Sequence, residues 1–597
     1  MQDIKPLGIT FVSENFSNSI DSFWIIIKPE ILINPFDFIS VENVQNTKTI
    51  GIVKELKRIY LDLESIAKNQ YSSLLNLNMN TDEKLGYGLT VAKIEVIANR
   101  QFVSNQEEDF SNDSSLNRMP AKSKNLSINM PVQEGKLVTF ATVEEVISSL
   151  GIPEMEHPIP SGVISMTNNS KIPIDLDVTY VFGPDTTHVN ATGISGNMKT
   201  SYLLFLLQVL HQKLSDEGIS IILFNTKEKD LLYLDKERDE DYKLEDKQVL
   251  DLLGLNLTPF NNVKYFLPRG KDGKPNSAHI PDKNYMTYSF ELPDVYDRLE
   301  LLFSSETTLD PQHNISSILN YIYEFWPNLS QGGNDKRNSD KIATWTDLIN
   351  FTDYPEEIVT HKTTLLKFQG MIQRYRKPFT LFVDKKVTST YLGKEIKKMK
   401  RNEVFVIDIA RLSTLDEQAF VVGDVMRTIN EMYSVGHVSN PDDDLGEHDV
   451  EIDTEKDSTT PDVAKKPKYM VIFIDEINRF LPRGESGSTG LGISMSNRSA
   501  VAEELLKTLI TGKSRHCILF SAQQFKSQID PSINENTGLH VITKLGLSEL
   551  SSNSYSMVDD TTKSVISKLH KGEFILVHPA FRHPIKITIP KPTFKRP

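Results

Sequence analysis

One segment restricts the fold of this chain more than any other, the stretch from His188 to Leu210, HVNATGISGNMKTSYLLFLLQVL. Residues 189–192 have the pattern of a buried strand, residues 193–196 that of a glycine-containing turn, and the apolar residues from Tyr202 onward that of a helix. A turn that joins a buried strand to the N-terminus of a helix presents backbone N–H groups to an anion. The segment therefore predicts an α/β fold with a phosphate-binding loop (P-loop) between a strand and a helix.

The same segment has a lysine and a hydroxyl residue where a P-loop needs them, and one residue that departs from the pattern. Lys199 is expected to neutralise the β- and γ-phosphates of a nucleotide, and Thr200 to bind Mg²⁺. Met198 stands where the pattern G-x-x-x-x-G-K-[ST] has glycine; in left-handed backbone it costs on the order of 1–2 kcal/mol. Taken alone, the segment is as typical of an ordinary turn before a core helix as of a nucleotide site. The residues predicted to contact the nucleotide are Gly193, Ile194, Ser195, Gly196, Asn197, Met198, Lys199, Thr200 and Ser201.

Composition excludes several classes of protein. Of the 597 residues, 39% are hydrophobic and 24% charged, which are the proportions of an ordinary globular protein. The one cysteine, Cys517, excludes a disulfide framework and a cysteine-based zinc site, and it fits a reducing cytoplasm. No apolar run approaches the ~20 residues that span a bilayer. We therefore expect a cytoplasmic protein with no membrane partner.

The net charge of −14 argues against a surface covered by nucleic-acid-binding residues, although a local basic channel stays compatible with it. Much of the acidity lies in residues 440–462, NPDDDLGEHDVEIDTEKDSTTPD. This segment has too little apolar content to pack, so it is predicted to be a solvated loop.

The chain changes character along its length in a way that predicts four parts. Residues 1–160 are rich in β-branched runs and are expected to form a small β-barrel. Residues 161–232 and 402–575 alternate short apolar strands with helical patterns, as in a parallel α/β sheet. Residues 233–401 have helical periodicity and are interpreted as a helical insertion. Residues 576–597 are expected to form a C-terminal β extension.

A second motif strengthens the nucleotide prediction. The apolar strand VIFIDE, Val471–Glu476, ends in two carboxylates at the edge where open parallel sheets bind ligands. Asp475 is expected to support the magnesium ion through water, and Glu476 to polarise the water that attacks the γ-phosphate. Two solvated acids at a strand end are common, but their conjunction with the P-loop pattern is not. Together the motifs predict an ATPase that uses Mg²⁺.

Two further elements follow this strand. CILFSAQQ is an apolar strand that ends in Gln523 and Gln524, and a neutral amide there can sense the γ-phosphate without adding charge. In a ring of identical subunits, an arginine can stabilise charge on a neighbour's transferring phosphoryl group. Arg515 is the first choice for this role. The competitors are Arg479, Arg483 and Arg498.

In their order along the chain these segments resemble the HerA family of hexameric ATPases, within the HerA–FtsK class of P-loop NTPases. The resemblance covers nearly the whole length and rests on FGPDTTHVNATGISG, IILFNTKEKDLLYLD, FIDEINRF and HKGEFILVHPAFRHPIKITIPKP. It implies an N-terminal barrel, a RecA-like core interrupted by a helical bundle, and a C-terminal extension that contacts the neighbouring subunit. It also implies an ATP-driven translocase or helicase on double-stranded DNA, working with a separate nuclease or other effector.

Two functional hypotheses stay open at this stage. In the first, the ring moves DNA, and the Gly/Ser-rich residues 483–499 form a pore loop that contacts phosphates; an ordinary surface loop is equally compatible with that segment. In the second, the ring is an assembly platform that activates a partner nuclease or NADase, for example in anti-phage defence. Because this chain contains no nuclease or NADase motif, such chemistry must come from another polypeptide.

Overall fold

A computed structural model of the protein describes residues 6–61, 87–100, 129–183, 187–238, 244–303, 314–331, 342–359, 362–376, 381–434, 467–484 and 498–596. Within these residues the chain forms a closed barrel and one large sheet flanked by helices. The acidic loop predicted at 440–462 and most of the pore loop predicted at 483–499 lie outside the described residues.

The N-terminal residues form a closed barrel of six strands, which confirms the predicted barrel. The strands are β1 (Gly8–Phe11), β2 (Ser22–Ile27), β3 (Phe38–Glu42), β4 (Lys48–Leu61), β5 (Tyr87–Arg100) and β6 (Leu137–Phe140). Their order is β1-β2-β5-β4-β3-β6, and β6 closes the barrel by pairing with β1. Alternate residues of a strand face the same side, so Phe23, Ile25 and Ile27 of β2 together enter the apolar interior.

The remaining strands form a single twelve-stranded sheet. They are β7 (Pro158–Ser165), β8 (Lys171–Asp177), β9 (Thr187–Thr192), β10 (Ile219–Asn225), β11 (Val263–Pro268), β12 (Tyr285–Tyr288), β13 (Val404–Asp408), β14 (Tyr469–Asp475), β15 (Cys517–Gln523), β16 (Thr537–Ile542), β17 (Glu573–Val577) and β18 (Ile585–Thr588). The order is β12-β11-β13-β10-β14-β15-β9-β16-β17-β18-β7-β8. The strands from β12 to β16 in this order are parallel, and those from β16 to β8 pair antiparallel.

The parallel part of the sheet is covered by helices, as its apolar strands require. The described helices are α1 (Val143–Ser149), α2 (Thr179–Phe182), α3 (Lys199–Lys213), α4 (Leu244–Leu252), α5 (Leu292–Val295), α6 (Asn314–Gln331), α7 (Trp345–Asn350), α8 (Lys362–Arg376), α9 (Leu392–Lys397), α10 (Leu415–Ser434), α11 (Ala500–Arg515), α12 (Pro531–Glu535), α13 (Leu547–Leu550) and α14 (Asp560–Ile566). The α/β prediction is thereby confirmed. Helix α3 is buried on all sides from Tyr202 to Leu210, which explains its apolar sequence.

The large sheet crosses the boundaries of the predicted domains. Strands β11 and β12 come from residues 233–401, the predicted helical insertion, and extend the sheet at one edge. Sequence periodicity missed them because they are short and lie between helical runs. Strands β17 and β18 carry the C-terminal extension into the same chain's sheet. The division into four parts, and the contact of residues 576–597 with a neighbouring subunit, stay predictions.

None of the helices among the described residues combines the length and apolar composition that crossing a bilayer requires.

Candidate nucleotide-binding site

The two motifs that predicted a nucleotide site meet at one edge of the large sheet. Strand β9 leads into the P-loop, β14 ends at Asp475, and β15 lies between them, parallel to both. Because parallel strands end at the same edge, the loop after Thr192 and the carboxylates after Ile474 face the same space. Thr200 Oγ1 donates a hydrogen bond to Asp475 Oδ2 at 3.0 Å.

The P-loop has the backbone that its sequence suggested. Gly193 has a φ of 148°, and a Cβ added there would come within 1.7 Å of Thr543 Oγ1, so only glycine fits. Met198, the residue that departs from the P-loop pattern, has a φ of 63° and a ψ of 21°, which is left-handed backbone. Met198 therefore has the strain expected of a non-glycine residue in left-handed backbone, on the order of 1–2 kcal/mol. Helix α3 begins at the next residue, so its N-terminal N–H groups lie beside the loop.

Lys199 bonds to the loop's own carbonyl groups. Its Nζ donates to Gly193 O at 2.6 Å and to Ile194 O at 3.2 Å. Burial lowers the pKa of Lys199, the charge of Asp475 opposes this, and the nearby ammonium of Lys227 adds to it. Among the described residues, the hydrogen bonds of this buried cation go to carbonyl groups, so it gains from a nearby anion and a phosphate group fits beside it.

A second lysine, which the sequence analysis missed, lies between the two carboxylates. Lys227 Nζ is 2.9 Å from Asp475 Oδ2 and 3.1 Å from Glu476 Oε1. Arg479 pairs with the other oxygen of Glu476. Burial lowers the pKa of Lys227, but the charges and hydrogen bonds of the two carboxylates outweigh it and raise the pKa above its usual value. The one sequence signal for Lys227 is its position just after β10. Because β10 and β14 are parallel neighbours, residues that follow them lie at the same edge of the sheet.

Glu476 is held in a strained conformation at the end of β14. Its φ is 56° and its ψ 48°, which places a non-glycine residue in the left-handed region. Its backbone N–H donates to Asp475 Oδ1 at 2.9 Å. Such outliers cluster at active sites, where surrounding contacts fix them, and the pairs with Lys227 and Arg479 are contacts of that kind.

The structure separates the two glutamines at the end of β15. Gln523 is fully buried and bonds through both atoms of its amide to Asn190 on β9, at 2.7 and 2.9 Å. Gln524 is half-buried, and its backbone carbonyl accepts a hydrogen bond from Thr192 Oγ1 at 3.4 Å. Of the two predicted sensors of the γ-phosphate, only Gln524 is therefore partly exposed.

Arg515 lies at the other end of the same strand. It is the last residue of α11, just before β15, whereas the P-loop lies beyond the C-terminal end of β15. Seven residues of strand separate the two edges by roughly 20 Å, so Arg515 does not reach the site of its own subunit. Its Nη1 is buried and has no hydrogen-bond partner among the described residues. Its predicted action on a neighbouring subunit stays a prediction.

The competing arginines have partners within the chain. Arg479 pairs with Glu476, as described above. Arg498 pairs with Asp530 at 2.9 Å. Arg483 donates to the carbonyl of Ser527 at 3.4 Å.

The C-terminal segment reaches the first turn of α3 within the same chain. The N–H of Lys595 donates to Lys236 O at 2.9 Å, and Phe594 is fully buried. These contacts place Arg596 so that its Nη1 donates to Ser201 Oγ. Ser201 is one of the predicted nucleotide-binding residues, and no sequence motif indicates that Arg596 lies beside it.

Comparisons with known proteins find distant likenesses among solved structures. VirB4 of Thermoanaerobacter pseudethanolicus has a TM-score of 0.43 and 12% identity, covering 73% of this chain and 96% of that chain. The plasmid coupling protein TrwB in complex with ADP and Mg²⁺ has a TM-score of 0.37 and 11% identity, covering 69% and 88%. The genome packaging NTPase B204 from Sulfolobus turreted icosahedral virus 2, in complex with ATP-gammaS, has a TM-score of 0.20 and 10% identity, covering 34% and 72%. No protein-family model and no curated protein sequence matches this chain.

TM-scores this low do not establish a function for this chain. Its chemistry therefore has to be inferred from its own residues. The hydroxyl of Thr200 and the carboxylate of Asp475 are hard oxygen ligands, which suit Mg²⁺ when phosphate groups and water complete its coordination. Lys199 and the helix N-terminus suit the phosphates themselves. The residues present therefore fit ATP with Mg²⁺.

Proposed function

We propose that this chain is an ATPase that uses Mg²⁺ and drives movement along double-stranded DNA as a ring of identical subunits, in the manner of the HerA type. Its core is then the RecA-like core of that family. Thr200 binds the metal ion and Asp475 supports it, Lys199 neutralises the β- and γ-phosphates, and Glu476 orients the attacking water. Gln524, rather than the buried Gln523, senses the γ-phosphate.

One observation carries the ATPase part of this proposal: the hydrogen bond from Thr200 Oγ1 to Asp475 Oδ2. The two residues are 275 positions apart in the chain. A hydroxyl at a helix N-terminus and a carboxylate at a parallel strand end have few structural reasons to meet at a glycine-containing loop. In a magnesium nucleotide site their meeting is required, because both serve the same ion.

Two variants test the ATPase. Lys199→Ala removes the phosphate-binding cation, and we expect ATP turnover to fall by roughly 100-fold or more. Glu476→Gln keeps the shape of the side chain but not its charge, so we expect a similar loss of turnover with ATP still bound. Steady-state hydrolysis and ATP binding by calorimetry measure the two effects. Undiminished hydrolysis in either variant rejects the assigned role.

The ring and the DNA substrate need separate measurements. Six chains of 67.7 kDa give a particle of about 406 kDa, which native mass spectrometry with and without ATP distinguishes from a monomer or a heptamer. Arg515 then acts on the neighbouring site, so Arg515→Ala reduces turnover without dissociating the ring. Contacts to DNA phosphates make binding sensitive to salt. We therefore expect linear duplex DNA to stimulate hydrolysis, and less so at higher salt.

The net charge of −14 and the methionine at position 198, where the P-loop pattern has glycine, favour a second candidate. In this hypothesis the ring is a platform that binds ATP and activates a separate nuclease or NADase, for example in anti-phage defence. A complex that forms and keeps its effector activity with the Glu476→Gln variant, which is expected to bind ATP without hydrolysing it, supports the platform. Loss of effector activity together with hydrolysis supports the translocase.

A further inference from the structure

Lys227 occupies a position that its neighbours would otherwise offer to a metal ion. Its Nζ and the hydroxyl of Thr200 contact the same oxygen, Asp475 Oδ2, at 2.9 and 3.0 Å. The same ammonium lies 3.1 Å from Glu476 Oε1. Asp475 is 5% exposed, so its charge is largely removed from water and needs a cation close by.

Lys227 is also placed to leave this position. Its side chain is 36% exposed, against 6% for that of Asp475, so the ammonium can turn into water while the carboxylate stays. A small cavity lined by Thr200, Lys227, Asp230 and Asp475 lies next to these contacts. The ammonium is therefore the more exposed member of the pair.

We propose that Lys227 is a built-in cation that neutralises Asp475 and Glu476 in the nucleotide-free protein and competes with Mg²⁺ for Asp475. This inference rests on the proposed ATPase site and adds a residue to it. A dication and an ammonium cannot share one carboxylate oxygen without strong repulsion, so binding of the metal displaces Lys227 from Asp475. The ammonium keeps its partner Glu476, which makes Lys227 a positioning residue for that carboxylate.

The consequence is that the protein binds divalent ions weakly until a nucleotide arrives. Phosphate oxygens supply the additional ligands that allow the metal ion to displace the lysine. A metal bound too early would order the site without its substrate. Lys227 thereby couples metal binding to nucleotide binding.

The test measures metal binding to the protein alone, with Mn²⁺ as the probe and the free ion counted by electron paramagnetic resonance. We expect Lys227→Met to bind Mn²⁺ at least tenfold more tightly than the natural protein in the absence of nucleotide. Lys227→Arg keeps the charge and is expected to bind Mn²⁺ as weakly as the natural protein. Lys229→Met is the matched control, because it removes the same charge from an exposed position two residues away.

A double variant locates the ion. Adding Asp475→Asn to Lys227→Met removes the carboxylate, and we expect the gained Mn²⁺ affinity to disappear. Lys227→Gln is the second route, should Lys227→Met fail to fold as judged by circular dichroism; the same gain is expected from it. Equal Mn²⁺ affinity in the natural protein and in the folded neutral variant overturns the proposal, as does an equal gain in Lys229→Met.

Failure of this inference and failure of the proposed function give different results. Loss of ATP hydrolysis in Lys227→Met, with Mn²⁺ affinity unchanged, leaves the ATPase standing and overturns the competition. Tighter Mn²⁺ binding in Lys227→Met, combined with no ATP hydrolysis by the natural protein with or without DNA, keeps the competition and rejects the ATPase.

Discussion

The side-chain amides of Asn190 and Gln523 bond to each other twice across neighbouring strands. Gln523 Nε2 donates to Asn190 Oδ1 at 2.7 Å, and Asn190 Nδ2 donates to Gln523 Oε1 at 2.9 Å. Both residues are fully buried. The pair lies directly below the P-loop, because Asn190 belongs to the strand that leads into it. It fixes β9 against β15 and uses both polar atoms of the Gln523 amide, whose full burial keeps it from a ligand.

We expect Gln523→Ala to lower the stability of the protein and Gln524→Ala to lower its ATP turnover. Gln523→Ala leaves the buried amide of Asn190 short of a partner, which costs about 1–3 kcal/mol and lowers the thermal midpoint. Gln524→Ala changes stability by about 0.5 kcal/mol or less but lowers ATP turnover at least tenfold by our proposal. Thermal unfolding and steady-state hydrolysis of the two variants check this. Unchanged stability in Gln523→Ala contradicts the structural role of the amide pair.

Met198 gives a test of backbone strain in the P-loop. Met198→Gly and Met198→Ala remove nearly the same side chain, but only glycine takes left-handed backbone without cost. We expect Met198→Gly to be more stable than Met198→Ala by about 1 kcal/mol. Urea unfolding measures this difference. If the alanine variant is equally stable, the left-handed conformation of residue 198 is not strained.

Much of this site could be predicted because its parts are local patterns. Residues 189–192, Lys199 and Glu476 each lie in a strand or a strand–helix turn that a single window of sequence reveals. The pairing of Lys227 with both carboxylates could not be predicted in that way. It depends on β10 and β14 being neighbours, and sheet order is a property of the whole fold rather than of any window.

The dependence on the whole fold also explains the other features that the sequence did not reveal. Gln523 and Gln524 are identical in type and adjacent, and only the register of β15 against β9 decides which one faces Asn190. The C-terminal residues carry no motif, so nothing local indicated that Arg596 lies beside Ser201. Strands β11 and β12 are short and lie between helical runs, so a window of sequence does not reveal their period of two.

His188 predicts a dependence of stability on pH. Its Nε2 bonds to Leu509 O at 3.0 Å, and its Nδ1 accepts the N–H of Leu519 at 2.9 Å, so the neutral ring uses both nitrogens. Burial lowers the pKa of His188 from 6.5 to about 4. Between these values the unfolded chain binds a proton that the folded protein does not. Stability is therefore full above about pH 6.5 and falls as the pH drops toward 4, by about 3 kcal/mol for this group.

The variant His188→Asn isolates this contribution. Asparagine tolerates the positive φ of 71° at this position and does not titrate. We expect its unfolding free energy to fall less steeply between pH 6.5 and 4 than that of the natural protein. His540 and His578 also have lowered pKa values and act in the same direction in both proteins. Parallel curves for the two proteins would show that His188 does not titrate as described.

Arg596 gives the last prediction, on nucleotide binding. Its guanidinium donates to Ser201 Oγ in the first turn of α3, close to Lys199 and to the positive end of the helix. Burial lowers the pKa of Arg596, while the charges of Asp230 and Asp475 oppose this. A half-buried cation beside a helix N-terminus is favoured when an anion is bound there. We therefore expect Arg596→Ala to weaken ADP binding by roughly tenfold, since a hydrogen bond to a charged group is worth about 1.5–3 kcal/mol. Calorimetry with ADP measures the change, and Lys595→Ala is the control because it removes the same charge one residue away. Tighter ADP binding in Arg596→Ala would instead mean that the segment blocks the site.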